Sequence, residues 1–151
     1  MYTENQLSYL IRGAAFKVHS TLGPGLLESV YETALEFELK ALNLEVKSQI
    51  GISMHYQNIL FDVGYRLDLL IENKVIVEIK SVDLLIDIHH KQLLTYMKLM
   101  DKKLGLLINF NSTSLSKSIV RIVNNLISEK ISEKPAKIRE NPREILLIKK
   151  E

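Results

Sequence analysis

The sequence predicts a single three-layer α/β/α domain built on a mixed β-sheet. Three observations lead there. Two amphipathic helical patterns precede the first strand pattern. The stretch Gly64–Ser81, GYRLDLLIENKVIVEIKS, then reads as two strands joined by a tight turn. Finally, a helical pattern separates that pair from the short, nearly all-apolar run Leu104–Phe110, so a crossover can bring that run parallel to its neighbour. Helices on both sides of a sheet bury its two apolar faces in layers.

Taken in order, Thr3-Glu4-Asn5-Gln6 has the form of a capping box and opens the first helix. Leu7, Leu10, Ile11, Ala14, Ala15 and Val18 recur at helical spacing as far as His19-Ser20. Leu22-Gly23-Pro24-Gly25 stops it. A second helix is expected from about Leu26 to Leu42, with Leu27, Val30, Tyr31, Ala34, Leu35, Phe37 and Leu42 on its apolar side. Val46–Tyr56 and Ile59–Tyr65 alternate as a hairpin around Gln57-Asn58, and Gly64 marks a bulge or bend that aims the next strand.

Within Gly64–Ser81 the loop is taken as Glu72-Asn73-Lys74. Ile71 then pairs with Val75, and Asp68 falls opposite Glu78. Alternation puts Asp68, Glu78 and Lys80 on one face. It puts Leu67, Leu69, Ile71, Val75, Val77 and Ile79 on the other. Asp87 is expected to cap a helix from Ile88 to about Lys102. Its His89 and His90 diverge by about 100° around the axis and are poorly placed to chelate one metal together. Ile119–Leu126 reads either as a last strand or as a short helix. From Ser128 the chain turns charged and poor in aromatics, with Pro135 and Pro142. The expected organisation is a domain over 1–127 and a tail over 128–151, either mobile or docked through Ile145–Ile148.

A chain of 151 residues is long enough to bury one real core. It has no cysteine, which excludes disulfides, thiolate metal sites and a cysteine nucleophile, and fits a cytoplasmic setting. No apolar run approaches about 18 residues, so no membrane span is expected. MYTENQLSYL lacks the basic and apolar regions of a signal peptide. The net charge is +2, and residues 1–127 hold 13 basic and 13 acidic side chains against 7 and 5 in the tail. Overall charge therefore does not announce a nucleic-acid binder, although an acidic site can mask a local basic patch.

Two carboxylates opposed across a strand pair repel, and a divalent cation between them relieves it. Hard oxygen donors with room for water suit Mg²⁺ or Mn²⁺. A lysine beside such an ion can hold an attacking water and offset charge on a phosphate. Asp68, Glu78 and Lys80 supply those groups, and they equally well make a solvated strand face. Glu28, in the first turn of the second helix, complements the helix dipole. Gln92 and Tyr96 stand four residues apart on one helix face.

The spacing Asp68…Glu78-Ile79-Lys80 resembles the signature of the PD-(D/E)XK nuclease superfamily, with Leu67 where the name has Pro. Gly25-Leu26-Leu27-Glu28-Ser29-Val30-Tyr31 reproduces the motif that names the GxxExxY family within it. The match runs from about Leu7 to Leu126. This resemblance implies a restriction-endonuclease-like core and metal-dependent phosphodiester cleavage, in DNA by preference. It implies Asp68, Glu78 and the backbone carbonyl of Ile79 as ligands of Mg²⁺ or Mn²⁺, with Glu28 as a further acid and Lys80 as the group that orients water. It implies supporting roles for Tyr31, Gln92 and Tyr96, the last two resembling the Gln-x-x-x-Tyr motif of RecB-like members. Arg121 resembles a recurrent basic residue that touches phosphate. The rival readings are a catalytically silent nucleic-acid-binding or partner-binding module on the same fold, and a two-carboxylate glycosidase. Lys80 beside Glu78 and the lack of Trp argue against the glycosidase.

Overall fold

The computed structural model describes residues 1–126 together with Leu146 and Leu147. The capping box forms as expected. Thr3 Oγ1 accepts the Gln6 N–H at 3.2 Å, and Gln6 Oε1 accepts the Thr3 N–H at 2.9 Å. Helix α1 (Glu4–Leu22) buries Leu7, Ile11, Ala14, Ala15 and Val18 and runs two residues past Ser20, ending where Gly23 takes a φ of 68°. Helix α2 (Glu28–Ala41) buries a narrower stripe than expected: Tyr31, Leu35 and Leu39. Val30, Phe37 and Leu42 stay 41%, 70% and 43% exposed. Val30 and Phe37 line an open groove of about 680 Å³ between the two helices instead of the core.

The sheet has six strands in chain order. These are β1 (Val46–Tyr56), β2 (Ile59–Ile71), β3 (Val75–Lys80), β4 (Leu104–Asn109), β5 (Ile119–Val123) and β6 (Leu146–Leu147). β3 runs parallel to β4 and β5 to β6; the other neighbours are antiparallel. Helix α3 (Asp87–Leu99) makes the crossover that a parallel β3–β4 pair needs. The α1 and α2 side chains pack with Leu69, Ile71, Val75, Val77, Ile79, Leu106 and Ile108. On the opposite face α3 contributes Leu93, Tyr96 and Met97 to a second cluster with Leu70, Ile76, Leu107 and Ile122. The three-layer α/β/α arrangement with a mixed sheet is thereby present. Gly105 lets α3 come close, since a Cβ there would lie 2.7 Å from Met97 Sδ.

Three expectations are corrected, and one open reading is resolved. The stretches Ile59–Tyr65 and Arg66–Ile71 form one strand, because Gly64 (φ 73°) lies in a bulge and does not end β2. The ladder with β1 shifts there, pairing Ile52 with Tyr65 and then Ser53 with Asp62. Leu67 packs with the α3 cluster and not with Leu69, because strand alternation is interrupted at Asp68. Asp87 is the first residue of α3, not its cap; His89 Nδ1 instead accepts the Ile86 N–H at 3.2 Å. The ambiguous Ile119–Leu126 contains β5, a strand.

Leu146 and Leu147 sit beside Arg121 and Ile122 on the edge of β5. The rest of the tail, Pro135, Pro142, Ile145 and Ile148 included, lies outside the described residues. Among the described residues no helix is long and apolar enough to cross a membrane.

Candidate active site

The ladder between β2 and β3 covers Ile71–Val75, Leu70–Ile76 and Leu69–Val77, then stops. That is the expected register, and it sets Asp68 opposite Glu78. Beyond Leu69 the side chains take over from the backbone. Asp68 N–H donates to Glu78 Oε1 at 3.1 Å, and Ile79 N–H donates to Asp68 Oδ2 at 2.8 Å. The Asp68 carboxylate is thus turned into the gap between the strands. In an antiparallel pair a residue directs its N–H and C=O toward the same neighbour, so the Ile79 carbonyl also faces this gap.

Glu78 is only 5% exposed. Burial, reinforced by the Asp68 charge, pushes its carboxyl from an ordinary 4.5 up to about 8, against the pull of the Asp68 N–H and the Lys80 ammonium. Burial also raises Asp68, and the Glu28 charge adds to it, while the Ile79 N–H, Lys80 and Gln49 oppose the rise. Lys80, half-buried at the end of β3, therefore favours the ionised form of both acids.

The segment Gly23–Glu28 is fastened to the end of β3. Tyr31, fully buried, donates from Oη to the Gly23 carbonyl at 2.6 Å and accepts the Leu26 N–H at 3.1 Å. Its ring stacks on Phe110 with centroids 4.6 Å apart. Ser81 Oγ donates to the Leu26 carbonyl at 2.6 Å, and Ser81 N–H donates to Glu28 Oε1 at 3.3 Å. Glu28 thereby stands next to the Lys80-Ser81 bend. From the opposite layer, Gln92 Nε2 donates to Tyr96 Oη at 2.8 Å. Burial and the Glu78 charge raise the Tyr96 phenol, which places this pair within electrostatic reach of the acids.

Asp68, Glu78, Lys80, Glu28, Tyr31, Gln92 and Tyr96 are thus brought together around the end of β3. Arg121 is not. It lies on β5, two strands from β3, and its guanidinium donates to Asn5 Oδ1 of α1. Sequence reasoning missed Gln49 and Glu32. Gln49 Nε2 lies 2.9 Å from each Glu32 oxygen and 3.5 Å from Asp68 Oδ1. Glu32 had a readable signal: Glu28, Glu32 and Glu36 repeat every four residues, a stripe of like charge that a helix does not favour on its own. Gln49 had none.

No group of three or more His, Cys, Asp or Glu side chains stands ready to hold a metal ion among the described residues. The donor chemistry nevertheless fits a divalent cation. Two carboxylates face one gap, one oxygen of each is committed to a backbone N–H, and Asp68 Oδ1 and Glu78 Oε2 remain with only the long Gln49 contact between them. Carboxyls that stay raised despite the Lys80 ammonium are what a cation would relieve.

The family model of the PD-(D/E)XK nuclease superfamily matches residues 5–122. No curated protein and no solved structure matches the chain.

Proposed function

Since the chain belongs to the PD-(D/E)XK nuclease superfamily, and its mixed sheet and layers have the restriction-endonuclease-like form, we propose that it is a metal-dependent nuclease that hydrolyses phosphodiester bonds in DNA. Within the superfamily we assign it to the GxxExxY family on Gly25, Glu28 and Tyr31. The observation that carries the reading is the pair of buried carboxylates, Asp68 and Glu78, turned into one strand gap beside Lys80.

Asp68, Glu78 and the Ile79 carbonyl would hold Mg²⁺ or Mn²⁺, with Glu28 as a further acid at the rim. Such an ion supplies Lewis-acid polarisation of the phosphate and lowers the pKa of water. The chain's own groups do the rest. Lys80 donates hydrogen bonds to the incoming water and to a non-bridging phosphate oxygen. It offsets negative charge there as the water oxygen, its proton released to solvent, bonds to phosphorus and the opposite P–O bond breaks, the leaving oxygen taking a proton from solvent. Gln92 and Tyr96 wall the gap from the α3 layer. Tyr31 fixes the loop that carries Glu28. The lack of cysteine supports a cytoplasmic setting.

The test is Mg²⁺- and Mn²⁺-dependent cleavage over duplex, single-stranded and branched DNA and RNA, with Lys80→Ala as control. Cleavage that needs both metal and Lys80 is the expected result. The rival module draws support from the balanced charge of residues 1–127; it would bind the same panel and leave it intact.

A further inference from the structure

Gln49 occupies a backbone conformation that its position does not call for. It lies inside β1, with strand on both sides, yet its φ is 52°. A non-glycine residue in the left-handed region is uncommon, and such residues persist where the surroundings impose them. The ladder to β2 shows what goes with it. Ser48 pairs with Leu69 and Ile50 with Leu67, while Gln49 and Asp68, which should pair between them, do not. Both residues are turned out of the regular ladder at the same level.

The side chain explains what the turn achieves. Its amide nitrogen donates to both oxygens of Glu32 at 2.9 Å and approaches Asp68 Oδ1 at 3.5 Å. The carbonyl of Gln49 accepts from Arg66 Nη1 at 3.2 Å, which anchors the turned-out backbone. A primary amide brings two hydrogens and no negative charge. Placed between two carboxylates, it binds Glu32 and reaches toward Asp68 where the two would otherwise repel. The other Asp68 oxygen is already held by the Ile79 N–H.

We infer that Gln49 is a positioning residue: its amide steadies the Asp68 carboxylate in the strand gap and holds Glu32 away from it. This rests on the nuclease reading for its purpose, because a steadied Asp68 matters as a metal ligand. The 3.5 Å contact is long enough to yield its oxygen to a cation, whereas the 2.9 Å contacts keep Glu32 occupied.

The test uses the full chain and the variants Gln49→Gly and Gln49→Asn. Glycine takes a φ of 52° without strain, so Gln49→Gly removes the amide while the backbone keeps its shape. Asparagine tolerates the same backbone but is too short to span both acids. Three quantities are measured: melting temperature in EDTA, Mn²⁺ affinity by titration, and kcat and KM on the substrate the wild type cleaves. The expected result is that Gln49→Gly stays folded, while Mn²⁺ affinity and kcat fall about 10- to 100-fold, the usual cost of losing a partner behind a metal ligand. KM for the nucleic acid stays close to wild type. Wild-type Mn²⁺ affinity and kcat in a folded Gln49→Gly or Gln49→Asn protein overturn the inference. If wild type cleaves and Lys80→Ala does not, that outcome leaves the nuclease reading standing. If wild type binds Mn²⁺ without cleaving, the nuclease reading fails and Mn²⁺ affinity alone decides on Gln49. A wild type that neither binds Mn²⁺ nor cleaves overturns both.

Discussion

The backbone N–H of Asp68 donates to the side chain of Glu78 at 3.1 Å, at the point where their two strands have ceased to pair. A carboxylate there fills a place that a backbone carbonyl would hold in an unbroken ladder. The second bond, from Ile79 N–H to Asp68 Oδ2, does the same from the other side. Two strands are thus stitched by two acids that repel each other when both are ionised.

That conflict predicts the behaviour of Asp68→Asn. Like charges opposed across strands cost about 0.2–1 kcal/mol, and burial raises the cost. In EDTA above about pH 8, where Glu78 is ionised, the variant should melt at or above the wild-type temperature, since asparagine keeps an oxygen for the Ile79 N–H. Mg²⁺ should stabilise wild type by mass action and the variant much less. Thermal melts with and without metal check this. A wild type indifferent to millimolar Mg²⁺ and Mn²⁺, with a clearly destabilised variant, would contradict it.

Glu78 adds a pH dependence. Its carboxyl is raised in the fold from 4.5 to about 8, so the folded chain holds that proton more tightly than the unfolded chain does. The stability this proton confers is fully present below about 4.5 and is lost as pH rises through about 8. In EDTA the melting temperature should fall across that window, and Glu78→Gln should flatten the fall. Metal displaces the same proton, so calorimetry in two buffers should show proton release on Mg²⁺ binding near pH 7. Binding without proton release would refute the assignment.

Lys80→Ala should keep the fold and the metal while cleavage drops about 10²-fold or more, because its contact is made in the transition state. Full activity in a purified, folded variant sinks the mechanism.

Tyr31→Phe keeps the ring stacked on Phe110 and removes the hydroxyl that holds Gly23 and Leu26. A partly buried N–H and C=O left without that partner should cost about 1–3 kcal/mol. Denaturant titration measures it. Loosening of the loop should also weaken cleavage through Glu28; a variant equal to wild type in both would show the clasp to be idle.

Truncation after Ile127 should leave a folded, metal-binding domain over 1–127. It removes β6, whose described residues Leu146 and Leu147 pair with Arg121 and Ile122 of β5. A truncated chain that fails to fold would place the tail within the core.

The strand pair carrying Asp68 and Glu78 was legible because its turn and its pattern agree. Glu72 and Asn73 take φ of 51° and 53°, and alternating residues on both sides admit one register. The bulge at Gly64 was legible, but not that a single strand runs through it, because the residues on its two sides alternate as separate patterns. Alternation predicts faces only while the pleat is regular, so Leu67 was misplaced by the irregularity at Asp68 itself. The left-handed Gln49 answers to tertiary contacts with α2 and β2, and no local pattern announces them. The burial of α2 was overestimated because apolar side chains beside the core stripe open onto the groove with α1.

β3 is joined to β4 along its entire length, six consecutive pairs, and to β2 along only half of it. Asn109 extends the grip by one step, its side-chain amide bonding both the N–H and the C=O of Val82. Glu78 and Lys80 therefore ride on the fully paired seam, and Asp68 stands on the strand whose ladder to it stops short. Past the bulge that strand becomes a long arm whose tip shows Tyr56, Ile59 and Leu60 to solvent, each more than half exposed. The arm is continuous through β2 with Asp68, whereas Glu78 and Lys80 stand on the neighbouring strand. The tip therefore shares a strand with one of the two opposed carboxylates and not with the other.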